Sequence, residues 1–157
     1  MKQFQPEQVR KIWQRVQSGA AYQPTSAPVS MEDSKATMRG LILRELEIKS
    51  CLIQLSGMFS GKNAAVLRQL ARQTQSHAAI LRGICAISEG NTPPLRSGKP
   101  AAASTGALLR RCYGQILQSL SEYESRSLDP RFGSTFQKLT EQKNHHCRIL
   151  LALLGSL

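Results

Sequence analysis

The chain is short of acids, short of aromatics and without a long apolar run, and each shortage excludes something. Asp and Glu number 10 against 21 Lys and Arg, so 157 residues carry a formal net charge of +11. Glu122 and Glu124 are close in sequence, but residues at i and i+2 of a helix do not share a face. No carboxylate pair, nucleophile–base pair or phosphate loop is therefore evident for catalysis. Aromatics make up 5%, which leaves no obvious stacking platform for single-stranded nucleic acid. No apolar stretch approaches the roughly 20 residues of a membrane span; the run Ile149–Leu154 is short and continues an amphipathic pattern. The opening MKQFQPEQVRKIWQRV has no apolar signal region, so no secretory leader is expected. Cys51, Cys85, Cys112 and Cys147 include no CxxC pair, and each falls within a predicted helix. They read as reduced thiols of a cytoplasmic protein, not as a disulfide frame or a zinc site.

What is present is helical. Hydrophobic content is 41%, enough at this length for one domain with a substantial core. Residues 5–18 are expected to form a short helix around Trp13, and residues 19–30, GAAYQPTSAPVS, a linker. The domain proper is 31–157. Helices are predicted over about 31–59, 63–88, 106–127 and 133–154, with no convincing strand alternation. Ser30-x-x-Asp33 resembles a capping box, Asn63 is the expected N-cap of the second helix, and Gly61 and Gly90 mark helix ends. Residues 89–105 form a long crossover rich in Pro and small residues, and Asp129-Pro130 breaks the third helix.

The two halves repeat. Leu70-Ala-Arg-Gln-Thr-Gln-Ser-His77-Ala-Ala-Ile-Leu81 aligns with Leu139-Thr-Glu-Gln-Lys-Asn-His-His146-Cys-Arg-Ile-Leu150. Upstream, Ile42-x-x-Glu45 and Leu52 align with Tyr113-x-x-Ile116 and Tyr123. Each half reads as a helical hairpin, and two hairpins make a four-helix bundle. Helical periodicity gives the inward stripes: Met38, Leu41, Glu45, Ile48, Leu52 and Leu55; then Leu67, Leu70, Ala71, Thr74, His77, Ala78, Leu81, Ile84 and Cys85; then Cys112, Ile116, Ser119 and Tyr123; then Phe136, Leu139, Lys143, His146, Leu150 and Leu153. Glu45, Thr74, His77, Lys143 and His146 thus point inward at a similar level. A lysine in such a stripe is costly unless paired. His145 lies about 100° round the helix from His146 and reads as a surface residue.

The segments LILRELEIKSCLIQLS with LRQLARQTQSHAAIL, and RRCYGQILQSLSEY with FQKLTEQKNHHCRIL, resemble the rubrerythrin branch of the ferritin-like superfamily over about residues 35–154. The resemblance implies a ferritin-like antiparallel four-helix bundle with helices 1 and 3 adjacent across a pseudo-two-fold axis, and the short N-terminal helix packed outside it. In that family each hairpin gives a Glu from its first helix and Glu-x-x-His from its second, together holding two metal ions. Here Glu45, His77 and His146 match family ligands. Thr74, Ile116 and Lys143 stand where the other three carboxylates belong, so the dimetal site is degenerate. Tyr123 keeps a tyrosine common in such bundles.

These departures set the functional expectation. Di-iron oxidative chemistry is not inherited, because one carboxylate cannot offset two divalent cations and Lys143 would repel them. No enzyme activity and no cofactor is expected, and at most one divalent metal. The leading reading is a structural or interaction protein whose partner, another protein or a second copy, the sequence does not name. The alternatives are a single Fe, Zn or Mn held by Glu45, His77 and His146, or nucleic acid bound by basic residues. Between Ile48 and Ser121 there are nine basic residues and one acid. Arg68, Arg72, Arg82, Arg110 and Arg111 could bind a polyanion, or simply form a solvated face. The resemblance adds one hypothesis: Lys143 takes the place of the metal, its ammonium paired with Glu45 in the core.

Overall fold

A computed structural model describes residues 31–90, 96, 98, 101 and 103–157, and four helices run through these described residues. They are α1 (Met31–Ser56), α2 (Gly61–Glu89), α3 (Thr105–Arg126) and α4 (Gly133–Gly155). No strand occurs among the described residues. The predicted helix around Trp13, the linker and the cap at Ser30 lie outside the described residues.

The helix ends follow local chemistry. α1 stops at Ser56, three residues before the predicted end, where Gly57 and Met58 turn back onto the carbonyls of Gln54 and Leu55. Asn63 is not the N-cap of α2. Ser60 occupies that position in an extended conformation, and Gly61, with φ of +60°, opens the helix two residues earlier. Gly tolerates this left-handed backbone because it has no Cβ. Gly90 closes α2 as expected, at φ of +73° with its N–H donated to Ala86. Ser104 caps α3 by accepting from the Ala107 N–H at 3.2 Å. Between α3 and α4, Asp129 Oδ1 accepts the N–H groups of Arg131 and Phe132. A Cβ on Gly133 would lie 2.4 Å from the Ser127 carbonyl oxygen, so this turn has no room for a side chain.

Each predicted stripe is buried. α1 packs on α2 and α3, and α4 packs on α3 and α2. Glu45 meets Tyr123, Glu47 meets Gln115 and Met58, just past the end of α1, meets Thr105, so α3 runs down as α1 runs up and the two helices are antiparallel. The 90–104 connection therefore joins opposite ends of the bundle. Two apolar layers result. One gathers Ile48, Cys51, Leu52 and Leu55 with Leu67, Leu108, Cys112 and Leu150. The other gathers Met38, Leu41 and Ile42 with Leu81, Ile84, Tyr123, Phe136 and Leu139. Each fully buried Leu or Ile contributes about 1.5–3 kcal/mol relative to exposure. Between the layers lies a polar one.

Candidate functional site

The polar layer is built by all four helices. α1 supplies Glu45, α2 supplies Thr74 and His77, α3 supplies Tyr123, and α4 supplies Lys143 and His146. Glu45, Thr74, Tyr123, Lys143 and His146 are 0% exposed and His77 is 1% exposed. Charge and polarity at such burial are costly unless paired, and the pairs can be followed atom by atom.

Lys143 Nζ lies 2.6 Å from Glu45 Oε2. The other carboxylate oxygen, Oε1, accepts the Tyr123 hydroxyl at 2.7 Å. His77 Nδ1 lies 3.6 Å from Oε2. Burial pushes the Glu45 carboxyl up, but the charge and close approach of Lys143, with the His77 ring alongside, outweigh it and hold the pKa at about 2. Glu45 is therefore ionised. Burial pushes the Tyr123 phenol far above its ordinary range, and the neighbouring Glu45 charge adds to this, so Tyr123 stays a donor. Thr74 does not face the ion pair with its proton: its hydroxyl donates to the Leu70 carbonyl at 2.8 Å, within its own helix. Ile116 is buried in the adjacent apolar layer and offers no ligand atom.

The two imidazoles stack, with ring centroids 5.5 Å apart and planes inclined by 19°. Each donates its Nε2 proton across to the opposite helix. His77 meets Gln142 Oε1 at 2.5 Å, and His146 meets Gln73 Oε1 at 2.7 Å. Gln73 and Gln142 were not among the expected site residues. The repeat contained their signal, since an identical glutamine stands four residues before each histidine. The arrangement is a reciprocal clamp between α2 and α4. Burial, then the Lys143 charge, lowers the His146 pKa to about 3, so this ring is neutral. With its Nε2 proton given to Gln73, its Nδ1 is a buried lone pair without a hydrogen-bond partner among the described residues.

A dimetal centre does not fit this donor set. There is one carboxylate, and an ammonium already sits at hydrogen-bond distance from it. A divalent ion bound to Glu45 Oε2 would face that ammonium at close range in a low-dielectric interior. Among the described residues, no group of three or more His, Cys, Asp or Glu is arranged to hold a metal ion.

The remaining candidates lie elsewhere. All four cysteines are free and buried. The Cys112 thiol hydrogen-bonds the Cys51 sulfur across the α1–α3 contact, and this interaction and burial push its own pKa up. His145 is exposed and lines a shallow groove with Val66, Gln69 and Ile149. Arg68 and Arg72 are exposed on α2 and line a groove against α1; Arg82 is half-buried on α2. Arg110 and Arg111 are exposed on α3, which packs on α1 and α4 but not on α2. No helix among the described residues is long and apolar enough to cross a membrane. No protein-family model, curated protein or solved structure matches this chain.

Proposed function

We propose that the chain is a ferritin-like bundle of the rubrerythrin branch in which a tethered ammonium has replaced the metal centre, and that it serves as a non-catalytic structural or interaction protein. One observation carries the reading: Lys143 Nζ lies 2.6 Å from Glu45 Oε2 with both side chains 0% exposed. A buried carboxylate needs a cation, and Lys143 supplies one covalently. Helix order supports the family assignment. Two hairpins joined end to end by a long crossover, with α1 beside α3 and α2 beside α4, are the arrangement that the resemblance implies. The reciprocal His–Gln clamp supports it too, because it relates the hairpins by a two-fold operation.

A bundle held this way has no redox centre and no open coordination position. Its chemistry is that of a rigid scaffold carrying a basic surface. Metal analysis of the full chain, purified without chelator and again after anaerobic incubation with ferrous iron, tests the reading. The expected result is no stoichiometric iron, zinc or manganese. Two irons per chain, lost on His77→Ala or His146→Ala, would overturn it. One equivalent lost in Glu45→Ala would favour the single-metal alternative.

A further inference from the structure

The outer surface between α1 and α2 carries a groove of about 420 Å³. Its floor is aliphatic, from Ala71 and from Ile53, which is 51% exposed. Its rim is cationic, from Lys49, Arg68 and Arg72. No acid is among its lining residues. Arg68 and Arg72 are one helical turn apart and so stand on the same side of α2. Lys49 reaches across from α1 and donates to Gln75 Oε1 at 2.7 Å, which places its amine over the end of the groove.

Charge decides what can lie there. A second copy of the chain carries the same net charge of +11. The chain's own first 30 residues have Lys2, Arg10, Lys11 and Arg15 against one acid, Glu7. Both would bring cations to cations. A phosphodiester backbone matches the rim but offers nothing to the aliphatic floor. A segment bearing carboxylates beside an aliphatic side chain matches both, in the helix-in-groove manner of peptide recognition.

We propose that this groove is a docking site for an acidic amphipathic segment of a partner protein. Its aliphatic side chain lies on Ile53 and Ala71, and its carboxylates meet Lys49, Arg68 and Arg72. Arg68 and Arg72 give the geometry for carboxylate pairing, since a guanidinium presents two parallel donors. The proposal rests on the reading of the chain as an interaction protein and names the chemistry of its partner.

The test uses the full chain, labelled for amide resonances, and a short peptide of Glu and Leu at helical spacing. At near-physiological salt, shift changes should centre on Lys49, Ile53, Arg68, Arg72 and Gln75. Arg68→Glu/Arg72→Glu should weaken binding by about tenfold or more, as should replacing the peptide's leucines with serine. Should that double variant melt early, Ile53→Ser, which trims one exposed aliphatic side chain, should also weaken binding. Four results would overturn the proposal: no shifts up to millimolar peptide, shifts that avoid the groove, equal affinity in both variants, or tighter binding of duplex DNA or phosphatidylserine vesicles than of the peptide. Metal content separates the two readings. A metal-free chain that ignores the peptide sinks the groove alone, whereas a stoichiometric metal sinks the scaffold reading whatever the peptide does.

Discussion

The two hairpins differ most on their first helices and least on their second. On α2 and α4 the same residues, Gln73 with His77 and Gln142 with His146, satisfy one another across the bundle. On α1 and α3 the equivalent positions hold Glu45 and Ile116, Leu52 and Tyr123. The contrast follows from the kinds of interaction involved. A hydrogen bond between a donor and an acceptor can be duplicated by symmetry, since each helix carries one of each. An ion pair cannot be made from two like positions, so the carboxylate sits on one hairpin and the ammonium on the other. Tyr123 belongs to the hairpin without the carboxylate and reaches across to Glu45 at 2.7 Å.

The largest effect should come from breaking the asymmetric element. Glu45→Leu leaves an ammonium buried without its counter-ion, and Lys143→Met leaves a carboxylate with Tyr123 as its remaining close donor. Each should cost about 3–5 kcal/mol in chemical denaturation. A loss below about 1 kcal/mol in both variants would mean that the pair is exposed to solvent.

Acid should come next. The folded pKa of His146 is lowered, so the unfolded chain takes up that proton first. Its contribution is intact above the ordinary value of 6.5 and is lost as pH falls toward about 3. By pH 5 the loss should reach about 2 kcal/mol. Glu45 is lowered as well, and its contribution goes between 4.5 and about 2. Stability should therefore fall in two overlapping stages with the same sign. In Gln73→Leu/His146→Leu the stage above pH 4.5 should flatten. An unchanged slope there would assign it to other groups.

The symmetric element gives a smaller and balanced response. Gln73→Ala and Gln142→Ala each strip the acceptor from one imidazole N–H, at about 1–3 kcal/mol. Their costs should agree within about 0.5 kcal/mol. Unequal costs would show that the clamp is not a symmetric pair in energy, whatever its geometry.

Much of this was legible in the sequence, for reasons that individual residues make plain. The inward stripes were readable because burial of Leu, Ile and Cys at helical spacing leaves little freedom, and Met38 through Leu153 end up buried where the period puts them. Lys143 stood out because a lysine between Leu139 and His146 interrupts an apolar stripe. Gln73 and Gln142 carry no burial signal, because an amide is at home on a surface and Gln142 stays exposed; only the buried imidazole across the bundle gives each its role. The start of α2 was misplaced because Asn63 is a good cap by composition, whereas the observed start depends on Gly61 adopting a positive φ. The α1–α2 groove had no signature, since Lys49 and Arg72 meet only after the hairpin closes.

The central claim is that Lys143 and Glu45 are energetically one unit in the core. A double-mutant cycle measures this directly, by denaturant unfolding of the wild type, Glu45→Leu, Lys143→Met and the double variant at neutral pH. The account predicts that the double variant recovers most of the loss seen in either single variant, because an apolar pair replaces the ionic one without stranding a charge. Losses that simply add would contradict it.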